Sequence, residues 1–378
     1  MSEYAPDREA VRESVGVSSE RLDRALAILD GWVTQGRNPG VAAVVIRRGR
    51  VVARYFRGLA APGDASRPLN AETVFPLSSL AKPVTALALL TLVESGDVML
   101  DDPVSLHVPE FGKGGKEAMR VRHLLTHTSG LPDMPSNNEA LRKAHSGLPS
   151  FVRAMVRADL AFAPGTRVAY SSMGTLMAGT IVERVSKQSL VDYAAERVFR
   201  PLGLTQSWLR PPESVYPRIA VLRLPEGRKP ASWDNNSPYW RQLGAPWGGL
   251  FATADDLARL IGHVLALVTG AATESPVVGP LTARLMIQNQ TRGIPSLAGG
   301  NESWGLGWAI PAGLPFRMAG DLCSPETFGH HGASGSLVWA DPARDLACVV
   351  VSNQVTHWGA EGRRHGAFSN AVLASVVR

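Results

Sequence analysis

The sequence predicts an α/β (α+β) fold, a sheet assembled from both ends of the chain with a mostly helical insert between them. Three observations carry this. Two short β-rich runs flank a glycine-containing turn near the N-terminus, helical patterns fill the middle, and β-rich runs return near the C-terminus.

Each element has a local reason. After a polar leader, Ser18-Ser19 can cap a helix whose Leu22, Leu26, Leu29, Trp32 and Val33 form one stripe, and Asn38-Pro39-Gly40 stops it. Val41–Ile46 and Val51–Phe56 surround Arg47-Arg48-Gly49-Arg50, the pattern of a β-hairpin. From Ser79 to Glu94 the chain is apolar almost all round, which predicts a buried helix. Helical stretches at Pro149–Arg157 and Gly174–Ser186 lie between loops rich in Pro and Gly. Pro211–Trp247 carries seven Pro and five Trp or Tyr with little periodicity, so a long surface loop is expected there. Thr253 opens a helix to Leu267, with Asp255 and Asp256 in its first turn. Ser303–Ile310, Gly335–Ala340 and Leu346–Ser352 read as strands, and a helix over about Gly362 to Val377 closes the chain. The expected division is an α/β domain from residues 1–98 and 248–378, a helical insert over 99–247, and an active site in the cleft between them.

Composition removes several classes of function. Of 378 residues, 45% are apolar and 19% charged, too hydrophobic for a disordered chain. Two cysteines, Cys323 and Cys348, exclude a disulfide scaffold and a four-thiolate zinc site, and buried free thiols are expected rather than a bridge. The net charge of +6 is spread in ones and twos without a recognised binding module, so no nucleic-acid partner is expected. No run of 18 apolar residues is present, hence no membrane span is expected. The opening Met-Ser-Glu-Tyr-Ala-Pro lacks the apolar stretch of a secretory signal, and a cytoplasmic location is the expectation.

Three segments hold residues that can do chemistry. In Ser79-Leu80-Ala81-Lys82, serine and lysine share one face of a first helical turn, and the chain has only six lysines. The plain alternative is a capping serine with a snorkelling lysine. Tyr170-Ser171-Ser172 stands between a turn and an apolar helix, where a tyrosine can project into a cleft or simply keep a wet hydroxyl. Phe328-Gly-His-His-Gly-Ala-Ser-Gly335 precedes a strand, and its glycines permit close approach of another molecule. His330 and His331 are adjacent, so only one is expected to face a cleft. Neither they nor His123 and His127 fall in an H-E-x-x-H pattern, so they are read as structural, with no metal and no cofactor. Gly332-Ala-Ser-Gly-Ser336 lacks the final glycine of a nucleophile elbow, which sets Ser334 aside. Trp247 is a candidate for the acyl or alcohol pocket, while Trp304 and Trp308 are assigned to the core.

Taken in order, S-x-x-K, Y-S-S and H-x-G stop looking accidental. Phe75–Thr85, His123–Leu131, Gly248–Leu257 and Trp304–Trp308 add supporting matches. The sequence resembles the serine β-lactamase and penicillin-binding-protein superfamily, in its class C-like branch with the family VIII carboxylesterases. That resemblance implies an antiparallel sheet flanked by terminal helices. It also implies Ser79 as acylated nucleophile, Lys82 and Tyr170 as its proton-handling partners, and the N–H groups of Ser79 and Ala333 as oxyanion hole. Ser172, His330, His331, Gly332 and Trp247 would line the substrate site. Two departures bear on the substrate: Ser172 replaces the amide of Tyr-x-Asn, and His330 replaces the lysine of Lys-Thr-Gly, so a fixed positive charge is missing. Both occur among family VIII esterases. The expectation is therefore a carboxylesterase acting on a small-molecule, short-chain ester through an acyl-serine. β-Lactamase, acyltransferase and D-amino-acid amidase or peptidase action are the enzymatic alternatives, and an acylated penicillin-binding sensor the non-enzymatic one. With Tyr170 as base, the rate would rise toward pH 8–9.

Overall fold

Near-continuous apolar runs at both ends of the chain demand a sheet covered on both faces. In the computed structural model, which describes residues 9–273, 276–299, 302–311, 316–355 and 358–377, they form one. Strands β1 (Gly40–Arg47) and β2 (Arg50–Gly58) make the hairpin; β3 (Phe328–Gly332), β4 (Ser336–Asp341) and β5 (Leu346–Ser352) complete an antiparallel sheet of order β2-β1-β5-β4-β3. The central pairing sets Val41 opposite Ser352 and Ile46 opposite Ala347. Because side chains alternate along a strand, Ala42, Val44, Val338 and Val349 face one core, while Val41, Ala43, Trp339 and Cys348 face another.

The second core is closed by helix α1 (Ser19–Thr34), capped by Ser18 as expected, and by the C-terminal helix α6 (Trp358–Leu373), where Trp32 meets Phe368 edge-on at 6.1 Å. The first core is closed by α5 (Ala254–Thr269), capped by the Thr253 side chain. It then continues without a break into α2 (Ala81–Glu94), α3 (Leu148–Arg157) and α4 (Ser172–Ser186). The helical middle of the chain and the sheet thus share one hydrophobic interior.

Several elements differ from expectation, each for a local reason. Ser303–Ile310 is not a strand: it makes only single bridges, Trp304 to Ala309 and Ala309 to Gly329. Gly305, pressed on the Met286 carbonyl, and Gly307, at φ +81°, fold it into a tight loop. The 211–247 segment is not merely surface loop, since Val215, Ile219, Ala220, Leu222 and Trp240 are buried and Pro238–Leu243 is helical. Aromatic and branched side chains anchor it where periodicity is absent. Phe328–Gly332, expected only to precede a strand, is itself the edge strand. Cys348 is buried, Cys323 partly so, and both are free thiols.

The edge strand is placed by a contact that only glycine permits. A Cβ on Gly332 would lie 2.2 Å from the Leu77 carbonyl oxygen, so β3 and the segment before Ser79 touch backbone to backbone. Gly332→Ala is expected to force them apart at a cost of about 1–3 kcal/mol and to lower the melting temperature by a few degrees. An unchanged melt would show that this edge yields freely.

Candidate active site

Ser79 is set by two pieces of backbone. Phe75–Pro76 pairs with Phe251–Ala252, the Leu77 N–H donates to the Leu250 carbonyl at 2.9 Å, and Ser78 bridges Gly249. Ser78 has φ +50°, a left-handed conformation uncommon outside glycine that concentrates at functional sites. The chain then turns, with Ala81 N–H on the Ser78 carbonyl and Lys82 N–H on that of Ser79. Helix α2 proper begins at Ala81, so Ser79 stands just ahead of it rather than on it.

The one turn between them brings Lys82 back under the serine. Its Nζ is 3.1 Å from Ser79 Oγ and 3.0 Å from the Trp247 carbonyl, lies 4.6 Å from the centroid of the Tyr170 ring, and belongs to a side chain only 2% exposed. The carbonyl is presented by a tight turn in which the N–H groups of Gly248 and Gly249 both reach the Ala245 carbonyl. Trp247 therefore meets the site through its backbone. Its ring does not line the cleft: it is packed in the core against Phe151 and Trp240.

Tyr170 is held by rings. His127 lies 4.6 Å away, Trp304 5.7 Å and His330 6.3 Å between centroids. The phenol hydroxyl is within hydrogen-bonding reach of Ser79. His127 Nδ1 accepts the Ser171 N–H at 3.1 Å, which makes its neutral form the Nε2–H tautomer. The Ser171 hydroxyl caps α4 through the Gly174 N–H and donates to the Pro132 carbonyl. Ser172, the first residue of α4, donates its N–H to Asp133 Oδ1 at 2.8 Å.

On β3, His330 is fully buried and its Nδ1 donates to the His331 carbonyl at 2.8 Å, leaving Nε2 without a partner among the described residues. His331 is partly exposed, and the exposed Ala333 follows Gly332 where the strand end rests on Leu77. Ser334 is fully buried, its hydroxyl on Ser336 Oγ. A cavity of about 460 Å³ lies between α3 and α4, but none of Ser79, Lys82 or Tyr170 lines it. Among the described residues no group of three or more His, Cys, Asp or Glu is placed to hold a metal ion, and no helix is long and apolar enough to cross a membrane.

A family model described as Beta-lactamase matches residues 21–370. The chain belongs to the beta-lactamase family. Among its relatives is an Escherichia coli O157:H7 protein described as "Putative D-alanyl-D-alanine carboxypeptidase", 27% identical over 390 residues that cover 93% of this chain and 87% of that one. A solved penicillin-binding protein homolog from Caulobacter crescentus superposes with a TM-score of 0.79 at 26% identity, over 95% of this chain and 99% of the other. A family VIII carboxylesterase structure superposes with a TM-score of 0.78 at 21% identity, over 94% and 99%, a likeness of fold.

Burial decides the charges in this beta-lactamase-family site. Desolvation brings the Lys82 ammonium down to about 7, against an upward pull from Asp133. Burial pushes the Tyr170 phenol up, opposed by its bond to Ser79. Burial also takes His127 and His331 down to about 3, and His330 well below its ordinary value, with Lys82 adding to each. All three imidazoles are neutral at pH 7, and Lys82 is the group poised to change charge there. Sequence reasoning missed the left-handed Ser78, the tyrosine-packing role of His127, the Trp247 carbonyl and Asp133. The only signal was that His127 and Asp133 fall in or just beyond the His123–Leu131 match.

A buried lysine with a lowered pKa weakens the fold. The unfolded chain binds its proton up to about pH 10.5 and the folded one only up to about 7, so stability rises with pH between these values and the full penalty applies below 7. At pH 7 this is on the order of 4 kcal/mol. Lys82→Met removes it but leaves the Trp247 carbonyl unpaired, at about 1–3 kcal/mol. The expected net result at pH 7 is a melting temperature raised by a few degrees; a lower one would show that the two hydrogen bonds outweigh desolvation.

Proposed function

We propose that this member of the beta-lactamase family is a serine carboxylesterase. The observation that carries the reading is the charge state around Ser79: His127 and His330 are buried, His331 is partly exposed, and desolvation leaves all three neutral at pH 7. A carboxypeptidase or β-lactamase must hold a substrate carboxylate, and none of these imidazoles offers a fixed cation for it. An uncharged ester needs none. A family VIII carboxylesterase shares this fold, so the fold admits the reading, and the missing cation is what weighs against the name carried by the sequence relatives.

The proton path follows from the same geometry. Lys82, as neutral amine, stands 3.1 Å from Ser79 Oγ and takes its proton as Oγ attacks the ester carbonyl. The oxyanion settles toward the N–H groups of Ser79 and Ala333. Tyr170, kept protonated by burial, hydrogen-bonds Ser79, passes its proton to the departing alcohol oxygen and takes one from the Lys82 ammonium, which restores the neutral amine. Water then attacks the acyl-Ser79 carbonyl and the steps run in reverse. This assigns the base to Lys82 rather than to Tyr170.

One plate tests the assignment: p-nitrophenyl butyrate, a chromogenic cephalosporin and a D-alanyl-D-alanine peptide, each with wild type and Ser79→Ala. Ester turnover well above the other two, and at least a thousand-fold lower in the variant, is expected. Lactam or peptide turnover equal to ester turnover would overturn the substrate class, and a single burst without turnover would make the protein a sensor.

The pH profile separates the two bases. Because the reactive form of Lys82 is unprotonated, ester turnover should fall below pH 7, rise through a midpoint near 7 and level off by about pH 8. A rate still climbing at pH 9–10 would return the role to Tyr170.

A further inference from the structure

We infer that this site selects esters bearing an ammonium group, which Asp133 binds beside the nucleophile. The inference rests on the esterase reading and adds a substrate class to it. Asp133 lies on the loop that follows His127. Pro132 before it is tied to the Ser171 hydroxyl, and Asp133 Oδ1 accepts the Ser172 N–H at 2.8 Å. The carboxylate is thereby fixed at the start of α4, two residues from Tyr170 in the chain it contacts.

Its second oxygen has no protein donor and the side chain forms no ion pair among the described residues, yet the residue is exposed. A carboxylate pinned by one oxygen at the start of α4, with the other left free, is an acceptor open to a donor. The charge lies close to the site by contact: the Ser172 N–H it accepts is two residues from Tyr170, whose ring centroid is 4.6 Å from Lys82 Nζ.

The surroundings agree. His330 Nε2 is a buried acceptor without a partner among the described residues. The imidazoles packed on Tyr170 are neutral and add no positive charge to compete for Asp133. An ammonium supplies three donors and the opposite charge. An acyl chain ending in a carboxylate would meet repulsion instead.

Four esters of matched acyl length test this by proton release at pH 7: methyl 3-aminopropanoate, with the ammonium on the acyl part; 2-(dimethylamino)ethyl butanoate, protonated on the alcohol part; neutral methyl butanoate; and anionic monomethyl succinate. Wild type is expected to favour at least one ammonium ester over methyl butanoate by about ten- to hundred-fold in kcat/KM, with the succinate poorest. Which ammonium ester leads tells which part of the substrate reaches Asp133. Asp133→Asn keeps an oxygen for the Ser172 N–H and removes the charge, so the ammonium-to-neutral ratio should fall toward one. Taking the ratio within each variant cancels any general loss. Ester turnover with a wild-type ratio at or below one, or a ratio that survives in Asp133→Asn, overturns the inference alone. Absence of Ser79-dependent turnover on all four overturns the esterase reading and this inference with it.

Discussion

The site depends on keeping one amine dry. Lys82 opens a helix whose residues are buried almost without exception, and its side chain is left with two polar contacts, the Ser79 hydroxyl and the Trp247 carbonyl. In water an ammonium gives up its proton near pH 10.4; stripped of water it does so where cells live. A lysine on an exposed first turn would stay charged, attract Ser79's lone pairs and take no proton from it. The apolar character of α2 therefore sets the charge of Lys82 as well as the core, and on the proposed mechanism the stability lost to desolvation is what the fold gives up for a usable base.

How much of this was legible follows from which physical signals are local. Apolar periodicity exposed the hairpin, the buried α2 and the caps at Ser18 and Thr253, because each depends on neighbours in the chain. It failed at Ser303–Ile310, where glycines in close backbone contact bend a β-rich composition into a loop, and at 211–247, where burial is set by what the segment lands on. At the site, S-x-x-K spacing alone placed serine beside lysine, since one turn brings them together. The partners of Lys82 were not legible. Trp247 suggested a pocket-lining ring, whereas its ring is core and its carbonyl does the work, and no residue type announces a carbonyl. Asp133 was equally silent, one exposed acid among many until the fold set it against Ser172.

Neutral imidazoles explain why three histidines crowd a site that holds no metal-like cluster among the described residues. His127 uses Nδ1 to hold the Ser171 N–H and its ring to brace Tyr170; His330 spends Nδ1 on its neighbour's carbonyl. A charged imidazole in either place would disfavour protonated Lys82 further and would lose an acceptor, so burial that keeps them neutral also keeps the lysine's pKa near 7 rather than lower. The groups are coupled: each proton withheld from a histidine is charge that Lys82 does not have to face.

The edge strand shows how the sheet serves the same end. An unpaired strand edge invites association with other chains, and a fold can cover it or use it. Here the loop at Ala309 pairs with Gly329 at one end of β3, while at the other Gly332 rests on the Leu77 carbonyl. The partly exposed His331 and the exposed Ala333 flank that contact, beside the segment that leads into Ser79. A bulkier residue at 332 would push this stretch away from Leu77, two residues ahead of Ser79. Glycine at 332 thus sets how closely this edge of the sheet approaches the serine.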